Sequence, residues 1–179
     1  GQGVASMMVH DVGFVATSVE SRPAMDVRCD GTCELLESVI DGPETGISWS
    51  GPGTSIMGDV RVHNATYAIE ATGSGHADWT NLTVSASQTG LSVQTPTSSL
   101  DNVEVLMTSD DAQGIDVLGG QHSWSTITVE KPFVSADRTS IGLKAWYSDL
   151  VLDHFTARNM STGMMLEDST VESQTAEAN

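Results

Sequence analysis

One apolar pattern returns at a fixed interval between residues 46 and 93. Ile47, Ile69 and Leu91 each follow Gly or Ala, and they are equally spaced by about 22 residues, an interval typical of repeat proteins. The residue two positions later completes a doublet with Trp49, Ala71 and Val93. Apolar residues at positions i and i+2 are typical of a strand with one buried face. A chain with this pattern has to bury an equivalent strand once in every repeat.

The same register extends over most of the chain. It predicts coils that begin near Val4, Met25, Ile47, Ile69, Leu91, Ile115, Leu143 and Met164. A second strand follows each doublet, with inward pairs at Val60/Val62, Leu82/Val84, Val103/Val105 and Ile127/Val129. Between the two strands lies a short segment with Ser before a bulky residue, at Ser55-Ile56, Ser99-Leu100 and Ser123-Trp124.

A unit of this length cannot bury its own apolar face, but stacked units can, because each strand pairs with its equivalent above and below. The sequence therefore predicts an all-β fold, a single-stranded parallel β-helix (a solenoid) of about eight coils, with residues 1–179 as one domain. In coil length and patterning, residues 4–170 resemble the pectate-lyase-like β-helix family, and this resemblance implies a right-handed parallel β-helix. Leucine-rich repeats, β-sandwiches and left-handed β-helices fit less well, since their own signatures do not recur.

The charge of the chain excludes several kinds of partner. It has 24 acidic residues against 7 Lys plus Arg, for a net charge of −17. Nucleic acid and anionic membrane surfaces require clustered cations, so neither is expected as a partner. Membrane insertion is not expected either, because no stretch reaches the ~20 apolar residues of a membrane span. Divalent cations suit such a surface.

Several features predict a secreted or cell-surface protein. Cys29 and Cys33 form a CxxxC pair that suits a disulfide better than a zinc half-site or free thiols. Asn64, Asn81 and Asn159 begin glycosylation sequons, although a Ser/Thr-rich chain also produces such triplets by chance. Because the chain starts at glycine, we expect a processed chain or a segment of a longer one. The open ends of the stack then predict further β-helix coils or neighbouring chains as partners.

The outward residues of the doublet strands predict a carbohydrate site. The register places Glu70 and Asp116 in one column with Lys144, and Trp146 in the next column. A carboxylate, an ammonium and an indole on a flat sheet are groups that bind sugars through hydroxyl hydrogen bonds and ring stacking. The alternative is a cross-strand ion pair with Trp146 packed under the loop at 130–140.

Acidic turns form a second candidate site. Asp110 and Asp111 lie in one enlarged turn, and Asp137 lies in the next. Carboxylates that converge from adjacent turns suit calcium, although aspartates also favour turns without any metal. A further column, Asp59, Asn81, Asn102 and Thr126, is expected to form hydrogen bonds along the stack, which would bury Asn81.

These features predict a non-catalytic module, a rigid spacer or adhesin-like scaffold with carbohydrate contact and no required cofactor. The alternative is a polysaccharide lyase or glycoside hydrolase of the pectate-lyase-like class. Residues 109–115, SDDAQGI, resemble the Asp-Asp turn of polygalacturonases, which implies an acid role for Asp110 and Asp111. The companion motifs of that family have no counterpart, and Glu70 and Asp116 are two coils apart, so catalysis is the second interpretation.

Overall fold

The computed structural model describes residues 6–10, 13–15, 23–132 and 139–178. Among these residues no helix is long and apolar enough to cross a membrane. The elements are strands: β1 Ser6–His10, β2 Gly13–Val15, β3 Pro23–Arg28, β4 Thr32–Leu36, β5 Val39–Asp41, β6 Thr45–Ser50, β7 Thr54–Gly58, β8 Arg61–Thr72, β9 His76–Gln94, β10 Thr97–Met107, β11 Gln113–Glu130, β12 Ile141–Arg158, β13 Thr162–Glu167, β14 Thr170–Ser173 and β15 Ala176–Ala178.

The strands wind round three faces, and the longer ones bend from one face to the next. Face 1 carries the doublets and contains residues 23–28, 45–50, 67–72, 89–94, 113–118, 141–146 and 162–167. Face 2 contains residues 6–10, 32–36, 54–58, 76–80, 97–101, 121–125, 149–153 and 170–173. Face 3 contains residues 13–15, 39–41, 61–63, 83–86, 103–107, 127–130, 155–157 and 176–178. All these pairings are parallel, so each rung stacks on the one before it.

The predicted register is present in the pairing. Along face 1 each predicted anchor residue pairs with the anchor of the next rung. These anchors are Met25, Ile47, Ile69, Leu91, Ile115, Leu143 and Met164. These residues mark about 7 turns, and Val4, the predicted first anchor, lies outside the described residues. The prediction of an all-β, right-handed parallel β-helix is thereby confirmed.

The core is the interior of the coil. Ile47, Ile69 and Leu91 are buried, as are all the inward pairs predicted for the second strands. The Ser55-Ile56 pair lies one position out of phase with the other two Ser-bulky pairs. Ser55 pairs with Ala77 and is buried, whereas Ile56 is half-exposed and Met57 takes the next inward position. The small Ser55 lies inside because it accepts a hydrogen bond from a buried indole.

A polar column lies at the corner between faces 2 and 3. Its backbone is left-handed, with φ between 50° and 55° at Glu37, Asp59, Asn81, Asn102, Thr126 and His154. Asn and Asp tolerate this conformation better than most residues, which explains their recurrence. Asn102 Nδ2 donates to Asn81 Oδ1 over 2.8 Å, so the expected ladder is partly formed. Asn81 nevertheless remains exposed, and the interpretation that the ladder buries it is wrong.

The two cysteines lie near the start of the described part of the β-helix. Cys29 and Cys33 are joined in a disulfide, with a Cα–Cα distance of 5.9 Å. Both are buried, and Cys29 NH donates to the carbonyl oxygen of Ser50 on the next rung over 2.8 Å. The bridge therefore closes the short loop between faces 1 and 2 and belongs to the core.

Candidate functional site

The predicted carbohydrate cluster is assembled on face 1. Glu70, Ser92, Asp116 and Lys144 follow one another in register, so Ser92 separates the two carboxylates. Lys144 Nζ lies 4.6 Å from the ring centroid of Trp146. This cation–π contact covers one face of the indole and would compete with a sugar ring for stacking on that face.

Asp116 lies in an unusual environment on this face. Burial raises its pKa, and the nearby Lys144 ammonium opposes that rise. Its Oδ1 atom is buried without a hydrogen-bond partner among the described residues. The cross-strand ion pair, which is the alternative interpretation of this cluster, is not among the ion pairs of the described residues, and the ammonium lies over the indole. The arrangement leaves a partly desolvated carboxyl group beside a cation.

The acidic turn holds a buried lysine. Lys131 is only 1% exposed, and its Nζ lies 3.4 Å from Asp110 Oδ1. Asp111 accepts a hydrogen bond from the Thr139 hydroxyl, and Asp137 lies outside the described residues. Within the described ranges, no three His, Cys, Asp or Glu side chains are grouped closely enough to hold a metal. Asp110 therefore balances a buried ammonium, and the calcium site stays a prediction.

The three sequons differ in what their amide groups contact. Asn64 Nδ2 donates to Asp41 Oδ1, and Asn159 Nδ2 donates to the carbonyl oxygen of Lys131, both over 2.8 Å. In these two residues the nitrogen that would carry a glycan is already a hydrogen-bond donor. Asn81 instead uses its oxygen as an acceptor and is exposed at a corner. Asn64 is exposed as well, so what distinguishes Asn81 is that its amide nitrogen donates no hydrogen bond to a described residue.

Sequence reasoning missed an open groove on face 2. Its volume is about 580 Å³, and it is lined by His76, Thr97, Ser98, Ser99, Gln121, His122, Ser123, Asp149, Leu150, Val151, Thr170 and Glu172. Most of these are the outward side chains of successive rungs, and they carry hydroxyl, amide or carboxylate groups. The sequence does contain a signal for this groove, a column of polar residues in the short segment between the two strands of each repeat. The column can be recognised only once it is known which residues of that segment point outward.

The floor of the groove is a buried hydrogen-bond network. His122 is 3% exposed, and its Nε2 lies 2.7 Å from the carbonyl oxygen of Gly119, which requires a proton on Nε2. Its Nδ1 then accepts from the Ser98 hydroxyl over 2.8 Å. The Trp124 indole NH donates to the same Ser98 oxygen over 2.8 Å. Ser98 is thereby satisfied both as donor and as acceptor.

The same Trp–Ser pairing occurs at another level of the coil. Trp79 Nε1 donates to Ser55 Oγ over 3.0 Å, and both residues are buried. Ser98 lines the floor of the groove, but it is only 2% exposed and its hydroxyl is already bonded to His122 and Trp124. A serine bonded to a histidine resembles a nucleophile with its general base. Here the serine hydroxyl is buried and is therefore not accessible to a substrate. The network instead fixes the strands that carry the outward side chains.

This network predicts a specific dependence of stability on pH. Burial lowers the pKa of His122, although its bond to Gly119 works in the opposite direction. In the unfolded chain a histidine has a pKa of about 6.5. As pH falls below that value the unfolded chain gains a proton more readily than the folded one, so His122 reduces the free energy of unfolding until the lower folded pKa is reached.

We expect the urea midpoint of the wild type to fall more steeply than that of His122→Gln between pH 7 and pH 5. The matched control is His63→Gln, on the half-exposed outer side of face 3, and its urea midpoint should fall with pH as that of the wild type does. Urea unfolding followed by circular dichroism at a series of pH values measures both slopes. Parallel curves for wild type and His122→Gln would contradict the assignment.

Comparisons with known proteins identify no relative of this chain. The chain matches no protein-family model, and searches of curated proteins and of solved structures also give no match. The parallel β-helix therefore rests on the pairing and burial described above. The candidate sites likewise rest on the geometry of this chain alone.

Proposed function

We propose that this chain is a rigid, non-catalytic module of a secreted or cell-surface protein, and that it binds glycans in the groove on face 2. The observation that carries the proposal is a row of exposed polar side chains on successive rungs, above a buried network that fixes their strands. The disulfide between Cys29 and Cys33 supports an oxidising location. The continuous core supports the role of a stiff spacer.

The chemistry of the groove suits a sugar chain. Parallel rungs repeat every ~4.8 Å, so each rung offers a new set of contacts to an extended ligand. Thr97, Ser123 and Gln121 carry hydroxyl and amide groups that both donate and accept, as sugar hydroxyls do. Val151 is 48% exposed and provides an apolar patch for the C–H face of a sugar ring. Polar contacts with one apolar patch are the usual composition of such sites.

We favour this groove over the Asp116–Lys144–Trp146 cluster as the main glycan site. In that cluster Lys144 already lies over the indole, so a sugar would have to displace it. In the groove Thr97 contacts His76 and Thr170 contacts Asp149, whereas Gln121 and Ser123 make no side-chain hydrogen bond to a described residue. The resemblance to pectate-lyase-like proteins supports a glycan ligand only through the shared coil pattern.

A bulky residue in the groove tests the proposal. Ser123→Trp places an indole on an exposed outward position of face 2, and the matched control Thr128→Trp places one on face 3 in the same strand. On a glycan array the wild type and Thr128→Trp should bind the same glycans, and Ser123→Trp should lose them. Binding that survives in Ser123→Trp, or an array without any bound glycan, would contradict the proposal.

A catalytic alternative is favoured by one observation. The raised pKa of Asp116 is a property of carboxyl groups that act as general acids in polysaccharide hydrolases and lyases. An assay for new reducing ends and for unsaturated products, on the glycans that bind, separates the two functions. Products that disappear in Asp116→Asn would favour an enzyme; bound but intact glycans favour the scaffold.

A further inference from the structure

We infer that the ligand of the face 2 groove is a glycan that carries free amino groups, an amino sugar polymer in its cationic form. The inference rests on the proposed function and narrows it to one substrate class. It is carried by two carboxylates in the groove, Asp149 and Glu172, and by the position of every described lysine and arginine outside it.

The two carboxylates of the groove are exposed and have no cationic partner among the described residues. Both are exposed, and they lie on adjacent rungs, with Thr170 paired to Asp149 and Glu172 paired to Val151. The Thr170 hydroxyl donates to Asp149 Oδ1 over 2.5 Å, which orients the carboxylate without neutralising it. Among the described residues neither carboxylate is part of an ion pair.

The described cations all lie elsewhere on the coil. Lys131 pairs with Asp110, Lys144 lies over Trp146, and Arg158 pairs with Glu130. The remaining two are Arg28, which pairs with Asp30, and Arg61, which lies on face 3. A uronic acid polymer would therefore meet two carboxylates in the groove and no described cation, within a chain of net charge −17.

A sugar fits the remaining groups better than a basic peptide does. Ser99, Gln121 and Ser123 line the same groove, and their hydroxyl and amide groups make no side-chain hydrogen bond to a described residue, whereas Thr97 contacts His76 over 2.8 Å. A sugar polymer supplies hydroxyl groups on every unit, whereas a lysine side chain supplies one ammonium and an apolar stem. An amino sugar satisfies both the carboxylates and the hydroxyl-rich rungs.

Titration calorimetry with three soluble probes tests this assignment. The probes are β-1,4-linked glucosamine oligomers, the same oligomers fully N-acetylated, and oligogalacturonides of equal length. We expect the glucosamine oligomers to bind at least about tenfold more tightly than the acetylated ones, with affinity that falls as salt is added, and the oligogalacturonides not to bind.

Two double variants with the same change in net charge provide the control. Asp149→Asn/Glu172→Gln removes the carboxylates of the groove, and Asp59→Asn/Glu104→Gln removes two exposed carboxylates near face 3. The first should weaken glucosamine binding about five- to tenfold, and the second should leave it nearly unchanged. Equal losses in both would mean diffuse attraction of a cation to an acidic protein and would overturn the inference.

The remaining outcomes of these binding measurements also test the inference. Equal affinity for the acetylated oligomers would overturn the amino sugar assignment while leaving a glycan-binding groove. A lysine-rich peptide that binds as tightly as glucosamine oligomers, and is lost in Asp149→Asn/Glu172→Gln, would identify a peptide site instead. A groove that binds none of these probes, on a protein with a blank glycan array, would end the proposed function as well.

Discussion

Replacing Gly114 by Val is expected to destabilise the coil strongly. Gly114 lies at the corner before the Ile115 doublet, where two successive residues are both buried. A Cβ atom here would overlap with Val129 Cγ1 and would lie 2.6 Å from the carbonyl oxygen of Gly142 on the next rung. Because the second contact is with backbone, the rungs would have to separate to relieve it.

We expect a loss of about 3 kcal/mol or more in the free energy of unfolding, out of a total of about 5–15 kcal/mol for a domain of ordinary stability. Urea unfolding followed by circular dichroism measures it. Gly13→Val is the control, since a Cβ atom there meets none of the described atoms within 4 Å, and it should change the midpoint little. A Gly114→Val protein with a wild-type midpoint would show that the corner is looser than this structure has it.

The same corner explains a signal in the sequence. The residue before each face 1 anchor is small throughout the described coil: Ala24, Gly46, Ala68, Gly90, Gly114, Gly142 and Gly163. A Cβ atom on Gly90 or Gly142 would likewise lie 2.6 Å from the carbonyl oxygen of the next rung. The repeat was therefore predictable, because burial fixes the doublet and backbone stacking fixes the residue before it.

Face 2 was less predictable because its inward positions are not uniformly apolar. Ser55, Ser98 and His122 lie inside the coil, where a hydrophobic pattern expects Leu or Val. The two serines are satisfied there by indoles from the next rung, Trp79 for Ser55 and Trp124 for Ser98, and no local pattern encodes such partners. With the phase of face 2 uncertain, the outward groove could not be read from the sequence.

The charged sites failed to follow from the sequence for a related reason. The register correctly brought Asp116 next to Lys144, since pairing alone decides which rungs are adjacent. It could not decide which neighbour the long lysine side chain would contact, and the ammonium lies over the indole of Trp146 instead of forming the cross-strand ion pair. The burial of Lys131 beside Asp110 is likewise not decided by the register of the paired strands.

Replacing Trp124 by Ala is expected to have the second large effect. Trp124 is buried in the middle of face 2, paired with Leu100 on one side and Leu152 on the other, and its ring centroid lies 5.8 Å from that of His122. Removing a buried indole leaves a cavity that the stacked rungs cannot close, so we expect a loss of about 3–5 kcal/mol in the free energy of unfolding, measured by urea unfolding.

Trp124→Phe separates packing from hydrogen bonding at this position. It keeps most of the ring but removes the donor to Ser98, and a hydrogen bond of this kind contributes about 1 kcal/mol. Trp146→Phe, on the partly exposed outer side of face 1, is the control and should alter the urea midpoint little. If Trp124→Phe proves as damaging as Trp124→Ala, the network with Ser98 and His122 holds face 2 together and the bulk of the indole matters less. If Trp124→Phe is neutral, packing of the ring alone sets the position of the groove floor.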